Sequence, residues 1–359
     1  MTCTRKLLLT IPALGAGGAE RVMTTLANHW TSKGWDITLL TYEKAGVEPF
    51  YELNSKVKLV QIDALSLNKY KLFWDVLKRV FKIRQFIKKA KPDVVLSFSS
   101  ANNIVTLWAK MGTGVSTIVS ERIDPTAHDI SVIKKIVRDW MYRFADKVVV
   151  QTLRIQRSLP KHSRKQSVVI PNPLILTGLK ADYKKKTVVA AGRLVEQKGF
   201  DILVKSFATI SSDWNLVIWG EGPERERLNK LINLLKLQDR VTLPGITKDL
   251  SQAMIDGSIF VLSSRFEGMP NALAEAMSLG LSVIATDCPT GPRELIENEE
   301  DGFLVPVDDI EALAQAMQRL MQDEKMRAGL GQVAAKKMKA YDIISIAGVW
   351  EKAFNEVGA

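Results

Sequence analysis

The feature that most restricts what this chain can fold into is an alternation. Short apolar runs recur along its 359 residues, most followed by a loop and then a helical pattern. Leu7–Ile11, Ile37–Thr41, Lys58–Ile62, Asp93–Phe98, Ser116–Ser120 and Lys147–Gln151 make a first series. Thr187–Ala191, Leu216–Trp219, Val241–Leu243, Ile259–Leu262, Ser282–Ala285 and Gly302–Val305 make a second. Strand candidates this short, separated by helix-length segments, predict parallel, doubly wound α/β sheets. Between the series lies Val168-Val169-Ile170-Pro171-Asn172-Pro173-Leu174, where two prolines stiffen the chain. The boundary between two domains, 1–172 and 173–342, is expected there.

The length suffices for two separate cores. No apolar run approaches the length of a membrane-spanning helix. Leu7–Leu14 contains Pro12 and lacks a small-x-small cleavage site, so it reads as a first strand and not a signal peptide. Cys3 and Cys288 offer no disulfide framework, which fits a reducing cytosol. Charge is uneven: residues 1–180 hold 29 Lys and Arg against 13 Asp and Glu, and residues 181–359 hold 21 against 26. The basic half suits an anionic substrate, anionic lipid or nucleic acid.

One stretch carries most of the chemistry. After Ile259–Leu262 the chain breaks at Gly268 and Pro270, then runs as a helical pattern from Asn271 to Gly280. That is strand, loop and helix, with the loop at the carboxyl end of the strand, where open α/β sheets bind ligands. Glu267 lies in the loop and Glu275 about one turn into the helix, with seven residues between them. The N–H groups at the helix start suit a phosphate or diphosphate. The two carboxylates suit the hydroxyls of a ribose and of a second sugar. The plain alternative is a helix whose early acids merely favour its dipole.

Other loops bear on the same question. Thr187–Ala191 runs into Gly192-Arg193-Leu194-Val195-Glu196-Gln197-Lys198-Gly199, where Arg193 and Lys198 suit a diphosphate or are surface cations. Leu14-Gly15-Ala16-Gly17-Gly18-Ala19-Glu20-Arg21 is a glycine loop between strand and helix, and is neither a dinucleotide fingerprint nor a P-loop. Glu121 and Arg122 directly follow a strand and either point into the carboxyl-end crevice or form a surface salt bridge. Residues 69–91 combine a helical apolar stripe with nine cations, the single acid Asp75, and Trp74, Phe81 and Phe86. Such a segment is either a helix lying in a membrane interface or a surface helix with a solvated basic face. With no Asp-x-Asp and only His29, His128 and His162, no metal is expected. Asp308-Asp309 reads as a helix N-cap.

Glu267 through Glu275, with most residues between them, resembles the E-x7-E signature of retaining family 4 glycosyltransferases. Gly17-Gly18-Ala19-Glu20-Arg21, Arg193 with Lys198, and Gly220-Glu221-Gly222 are similar to the family's other donor-side loops. The resemblance implies the GT-B fold: two Rossmann-like doubly wound parallel-sheet domains facing a central cleft, with the last helix, 343–359, crossing back onto the first. It implies a nucleotide-sugar donor on the second domain and an acceptor on the first. Arg193, Lys198 and the backbone near Leu273 would hold the diphosphate, and Ile246 would lie by the base. Glu275 would hold the ribose and Glu267 the transferred sugar, with Gly268, Met269, Pro270 and Asn271 around them. Gly17 and Gly18 would face the donor, with Glu121 near sugar and acceptor. No cofactor is implied beyond the UDP-sugar.

The expected activity is transfer of a hexose or N-acetylhexosamine to a lipid-diphosphate-linked saccharide during assembly of bacterial surface polysaccharide or lipopolysaccharide. The expected location is the cytoplasmic face of the membrane, held peripherally through 69–91. A nucleotide-sugar epimerase of the same fold is the alternative. A nucleic-acid-binding protein would account for the basic half, but no reader motif is present.

Overall fold

Leu7, Leu8 and Leu9 are all buried, because helices cover both faces of their strand. The computed structural model describes residues 4–65, 72–122 and 132–358. The chain divides into two units, Met1–Pro173 with Ile343–Ala359, and Leu174–Asp342.

In the first unit the elements run β1 (Lys6–Thr10), α1 (Gly18–Ser32), β2 (Asp36–Thr41), β3 (Lys58–Gln61), α2 (Leu72–Ala90), β4 (Val94–Phe98) and α3 (Ser100–Lys110). They continue as β5 (Ser116–Glu121), α4 (Val132–Met141), β6 (Lys147–Val150), α5 (Leu153–Ser158), α6 (Lys161–Lys165) and β7 (Ser167–Val169). All seven strands pair in parallel in the order β3-β2-β1-β4-β5-β6-β7. Leu7 and Leu9 point to α1, and Leu8 points to the layer containing α2. Within that layer α3 packs against both α2 and α4.

The second unit holds β8 (Thr187–Ala191), α7 (Phe200–Ala208), β9 (Asn215–Trp219), α8 (Arg225–Leu234), β10 (Val241–Gly245) and α9 (Leu250–Met254). Then come β11 (Ile259–Leu262), α10 (Asn271–Ser278), β12 (Ser282–Thr286), α11 (Pro292–Leu295), β13 (Phe303–Val305), α12 (Ile310–Gln322) and α13 (Glu324–Met338). Its six-stranded sheet has the order β10-β9-β8-β11-β12-β13. Asp309 caps α12 by accepting from the Ala312 N–H at 2.9 Å, while Asp308 pairs with Arg265 at 2.8 Å. The final helix, α14 (Ile343–Glu356), buries Ile346, Trp350 and Phe354 in the first unit's core beside Trp30.

Three sequence expectations need correction. Ser167–Val169 is an edge strand paired to β6, where the sequence suggested only a stiff crossing. Phe86, set apart from the apolar stripe in the sequence, belongs to it, packing with Val80, Ile83 and Ile87 against the sheet. The α2 cations are not one uniform basic face either. Lys78 and Arg79 donate to the carbonyls of Asp63 and Ala64 at 2.8 Å each, and Lys82 donates to Ile62. Arg79 also stacks 4.8 Å from the Tyr42 ring. These three tie α2 to the chain leaving β3. Residues 69–71 of the expected 69–91 helix lie outside the described residues.

Candidate functional site

In each sheet the strand order reverses at one place, between β1 and β4 and between β8 and β11. Loops leaving the carboxyl ends of such neighbouring strands diverge and leave a crevice. In the second unit those loops carry Arg193 and Lys198 after β8, and Glu267 ahead of Glu275 after β11. The fold therefore gathers residues that lie about seventy positions apart in the chain.

Glu267 is buried, and its Oε1 accepts from Lys198 Nζ and from the Ser264 hydroxyl, each at 2.6 Å. With both bonds on one oxygen, Oε2 is the carboxylate edge left for a ligand hydroxyl. The Lys198 ammonium has three donors, so it can keep Glu267 while receiving a phosphate oxygen. Arg193, on the same loop, is exposed. Glu275 is buried on α10 and accepts from the Ser251 hydroxyl of α9 at 2.5 Å. Pro270, at the N-cap of α10, provides no capping side chain, so the helix start presents backbone N–H groups with the Leu273 side chain fully buried beneath them.

The two loops are laced together. The Arg265 N–H donates to the Gln197 carbonyl, and the Gln197 side chain donates to the Phe266 carbonyl, each at 2.8 Å. Thr290 donates its hydroxyl to the Glu267 carbonyl. Gly199 has φ +62, and a Cβ there would lie 2.0 Å from the Ser263 carbonyl oxygen, so only glycine allows this approach. At Gly220 (φ +146) a Cβ would meet the Gly192 carbonyl at 1.9 Å, which brings the loops after β8 and β9 into backbone contact. Glu221 is solvent-facing and pairs with Arg225, whose hydrogen bond holds its carboxyl below the usual range. Ile246 is exposed just beyond β10. Gly268, Met269 and Asn271 complete the bend into α10. Cys288 lies beneath, and burial together with the Glu267 charge pushes its thiol up to about 12.

The first unit has its own crevice residues. Gly17 is the N-cap of α1 and Gly18 its first residue. A Cβ on Gly17 would lie 2.1 Å from Glu20 Oε2, so the Glu20 carboxylate folds back over the helix start, as the third-residue acid of a capping box does. Glu121 does not reach solvent. Ser100 donates to its Oε1 at 2.6 Å, Tyr142 donates to its Oε2 at 2.8 Å, and burial raises its carboxyl despite nearby Arg138. Arg122 stacks 4.4 Å from the Phe98 ring and donates to Asn172 Oδ1 at 2.6 Å. Its Nε and Nη1 are buried without a hydrogen-bond partner among the described residues, and burial lowers its guanidinium to about 9 while Glu20 and Glu121 raise it. Such a fork, still charged at neutral pH, suits an anion.

Sequence reasoning missed the hydroxyls. Ser264 could have been found, being three residues before Glu267 in the same loop. Ser251 could not, because nothing local in the sequence connects it to Glu275 across 24 residues.

Comparison with known proteins is consistent with this geometry. Residues 16–177 match the Glycosyltransferase Family 4 model, and residues 176–337 match the model of Glycosyl transferases group 1. An uncharacterized glycosyltransferase of Methanocaldococcus jannaschii is 30% identical over 67% of this chain and 67% of its own length. The N-acetylgalactosamine-N,N'-diacetylbacillosaminyl-diphospho-undecaprenol 4-alpha-N-acetylgalactosaminyltransferase of Campylobacter jejuni is 28% identical, over 96% of this chain and 97% of that enzyme. Among solved structures, Anabaena HepE in complex with UDP-glucose superposes with a TM-score of 0.82 at 17% identity, covering 98% of this chain and 99% of that one.

Proposed function

Because the chain belongs to the family 4 (group 1) glycosyltransferases and has their GT-B fold, we propose a specific transfer within that activity. The donor is a UDP-hexose or UDP-N-acetylhexosamine, and the acceptor is a saccharide on a lipid diphosphate, with the anomeric configuration retained. The observation that carries the donor half is the Lys198–Glu267 pair at the second unit's switch point, with Glu275 held by Ser251 on the helix that follows. The acceptor half is supported by the Campylobacter relative, whose name describes an undecaprenol-diphosphate substrate, and by the basic balance of residues 1–180.

As the glycosidic bond to the diphosphate breaks, negative charge builds on the leaving oxygens. Lys198, Arg193 and the N–H groups at the start of α10 are fixed donors for that charge, where preorganisation contributes most. Glu267 Oε2 takes hydroxyls of the transferred sugar, and Glu275 takes those of the ribose. The acceptor hydroxyl attacks the anomeric carbon from the face the diphosphate leaves, and its proton passes to the departing phosphate oxygen. Glu121, enclosed by Ser100 and Tyr142, acts as a positioning residue for Arg122, which receives an anionic group of the acceptor.

The test is a panel of UDP-sugars with a short-chain diphosphate-linked saccharide, the product anomer being read by NMR. An α-linked product from an α-donor, formed equally in a chelator, is expected. Isomerised donor without transfer would establish the epimerase reading instead. Loss of activity that a divalent ion restores would show that a metal shares the diphosphate's charge.

A further inference from the structure

Helix α4 turns its apolar stripe away from the protein. Ile133, Ile136, Val137 and Trp140 follow the i, i+3, i+4, i+7 spacing of one helix face, and all are exposed, Ile133 at 74% and Trp140 at 53%. Arg138 lies on the opposite side and is only 2% exposed. A helix on a protein surface ordinarily does the reverse. Arg138 turns inward instead, its guanidinium pairing with Asp139 at 2.7 Å.

The stripe continues beyond the helix. Phe144 is exposed and packs edge-on against Trp140 with ring centroids 5.1 Å apart. It also extends sideways, because α2, α3 and α4 form one layer, and each presents an exposed tryptophan: Trp74, Trp108 and Trp140. The helices of this layer and the turn after α4 also bear the exposed cations Lys88, Lys89, Lys134 and Arg143. Aromatic rings beside an apolar stripe, fringed by lysine and arginine, match the layering of a bilayer surface: acyl region, interface and anionic headgroups.

We propose that the outer face of the α2–α3–α4 layer docks on an anionic phospholipid surface, and that α4 is the element that inserts. This rests on the reading that the acceptor is lipid-linked. It shifts the weight of docking from the α2 cations, three of which are engaged with the chain after β3, to the α4 stripe. A second copy of the chain is a poorer occupant, since pairing this face with itself would oppose like charges across the contact.

The test compares the native protein with Ile136→Ser/Trp140→Ser and with Ile133→Ser. Sedimentation uses vesicles of phosphatidylethanolamine with phosphatidylglycerol, and thermal melting and gel filtration run alongside. The double variant is expected to lose roughly tenfold or more in vesicle affinity, and the single variant less, as buried apolar area sets the binding strength. Melting temperature and transfer to a short, water-soluble acceptor should stay native, because these side chains are exposed and outside the proposed donor and acceptor sites. Vesicle affinity unchanged in both variants overturns the proposal. So does a native dimer that the substitutions dissociate, which would assign the stripe to a second copy. Sedimentation needs no turnover, so failure to use any lipid-diphosphate acceptor would remove the proposed function while leaving this result standing.

Discussion

Arg193 and Lys198 share a loop but not an environment, and alanine variants should separate them. Arg193→Ala is expected to lower turnover by roughly 10²–10³, as when a donor to transition-state charge is removed, with unfolding unchanged. Lys198→Ala should lower turnover similarly and also cost roughly 1–3 kcal/mol of stability, since it strips the buried Glu267 carboxylate of its charged hydrogen-bond donor. Steady-state kinetics with urea unfolding gives both readings, and near-native transfer by both variants would take this loop out of the mechanism. The two glutamates divide differently. Glu275→Ala should weaken binding of UDP itself, while Glu267→Ala should keep UDP affinity within about threefold and lose turnover by roughly 10²–10³. Calorimetry with UDP decides this, and equal losses of affinity would refute the assignment. Spacing made these four side chains candidates, three on strand-to-helix loops and Glu275 one turn into α10, and the resemblance to family 4 chose between that and a plainer reading. Spacing could not give the Lys198–Glu267 bond, which depends on β8 and β11 being neighbours.

At the scale of elements, the sequence showed where helices are but not which way all of them face. Strand cores such as Thr187–Ala191 and Ile259–Leu262 were legible to the residue, since short β-branched runs between turns admit one reading. Helix α4 was not, because it buries the charged Arg138 and exposes its apolar stripe, the reverse of the pattern by which a surface helix is read. β7 was missed for another reason. With three residues and one pairing partner it has almost no pattern to show. The α2 cations give the test at this scale. Arg79→Ala should cost roughly 1–3 kcal/mol, having lost a carbonyl bond and a stacked ring. Lys88→Gln and Lys89→Gln, at exposed positions near the helix end, should shift stability by no more than about 0.5 kcal/mol. Equal melting temperatures for all three variants would mean the Arg79 contacts contribute nothing in solution.

The whole chain is asymmetric in how its two units are made. Residues 174–342 are continuous, and they contain every proposed donor residue apart from Gly17 and Gly18, together with their own apolar clusters on both faces of the six-stranded sheet. The first unit is interrupted. Its core takes Ile346, Trp350 and Phe354 from α14, with Trp350 and Phe354 fully buried beside Trp30. The departing and returning segments lie together, the Leu174 N–H donating to the Tyr341 carbonyl at 2.8 Å. Residues 174–342 alone should therefore unfold cooperatively and bind UDP with nearly the affinity of the full chain. Residues 1–173 alone should not fold stably, because losing buried aromatic side chains costs roughly 3–5 kcal/mol for each, comparable to the stability of a domain. Supplying 343–359 through a linker should restore folding. Circular dichroism melts of the three fragments and UDP titration of the second unit test this together. A folded 174–342 fragment without UDP affinity would mean that donor binding depends on the glycine loop at Gly17 and Gly18, and a stable 1–173 fragment would mean that α14 covers a core already complete without it.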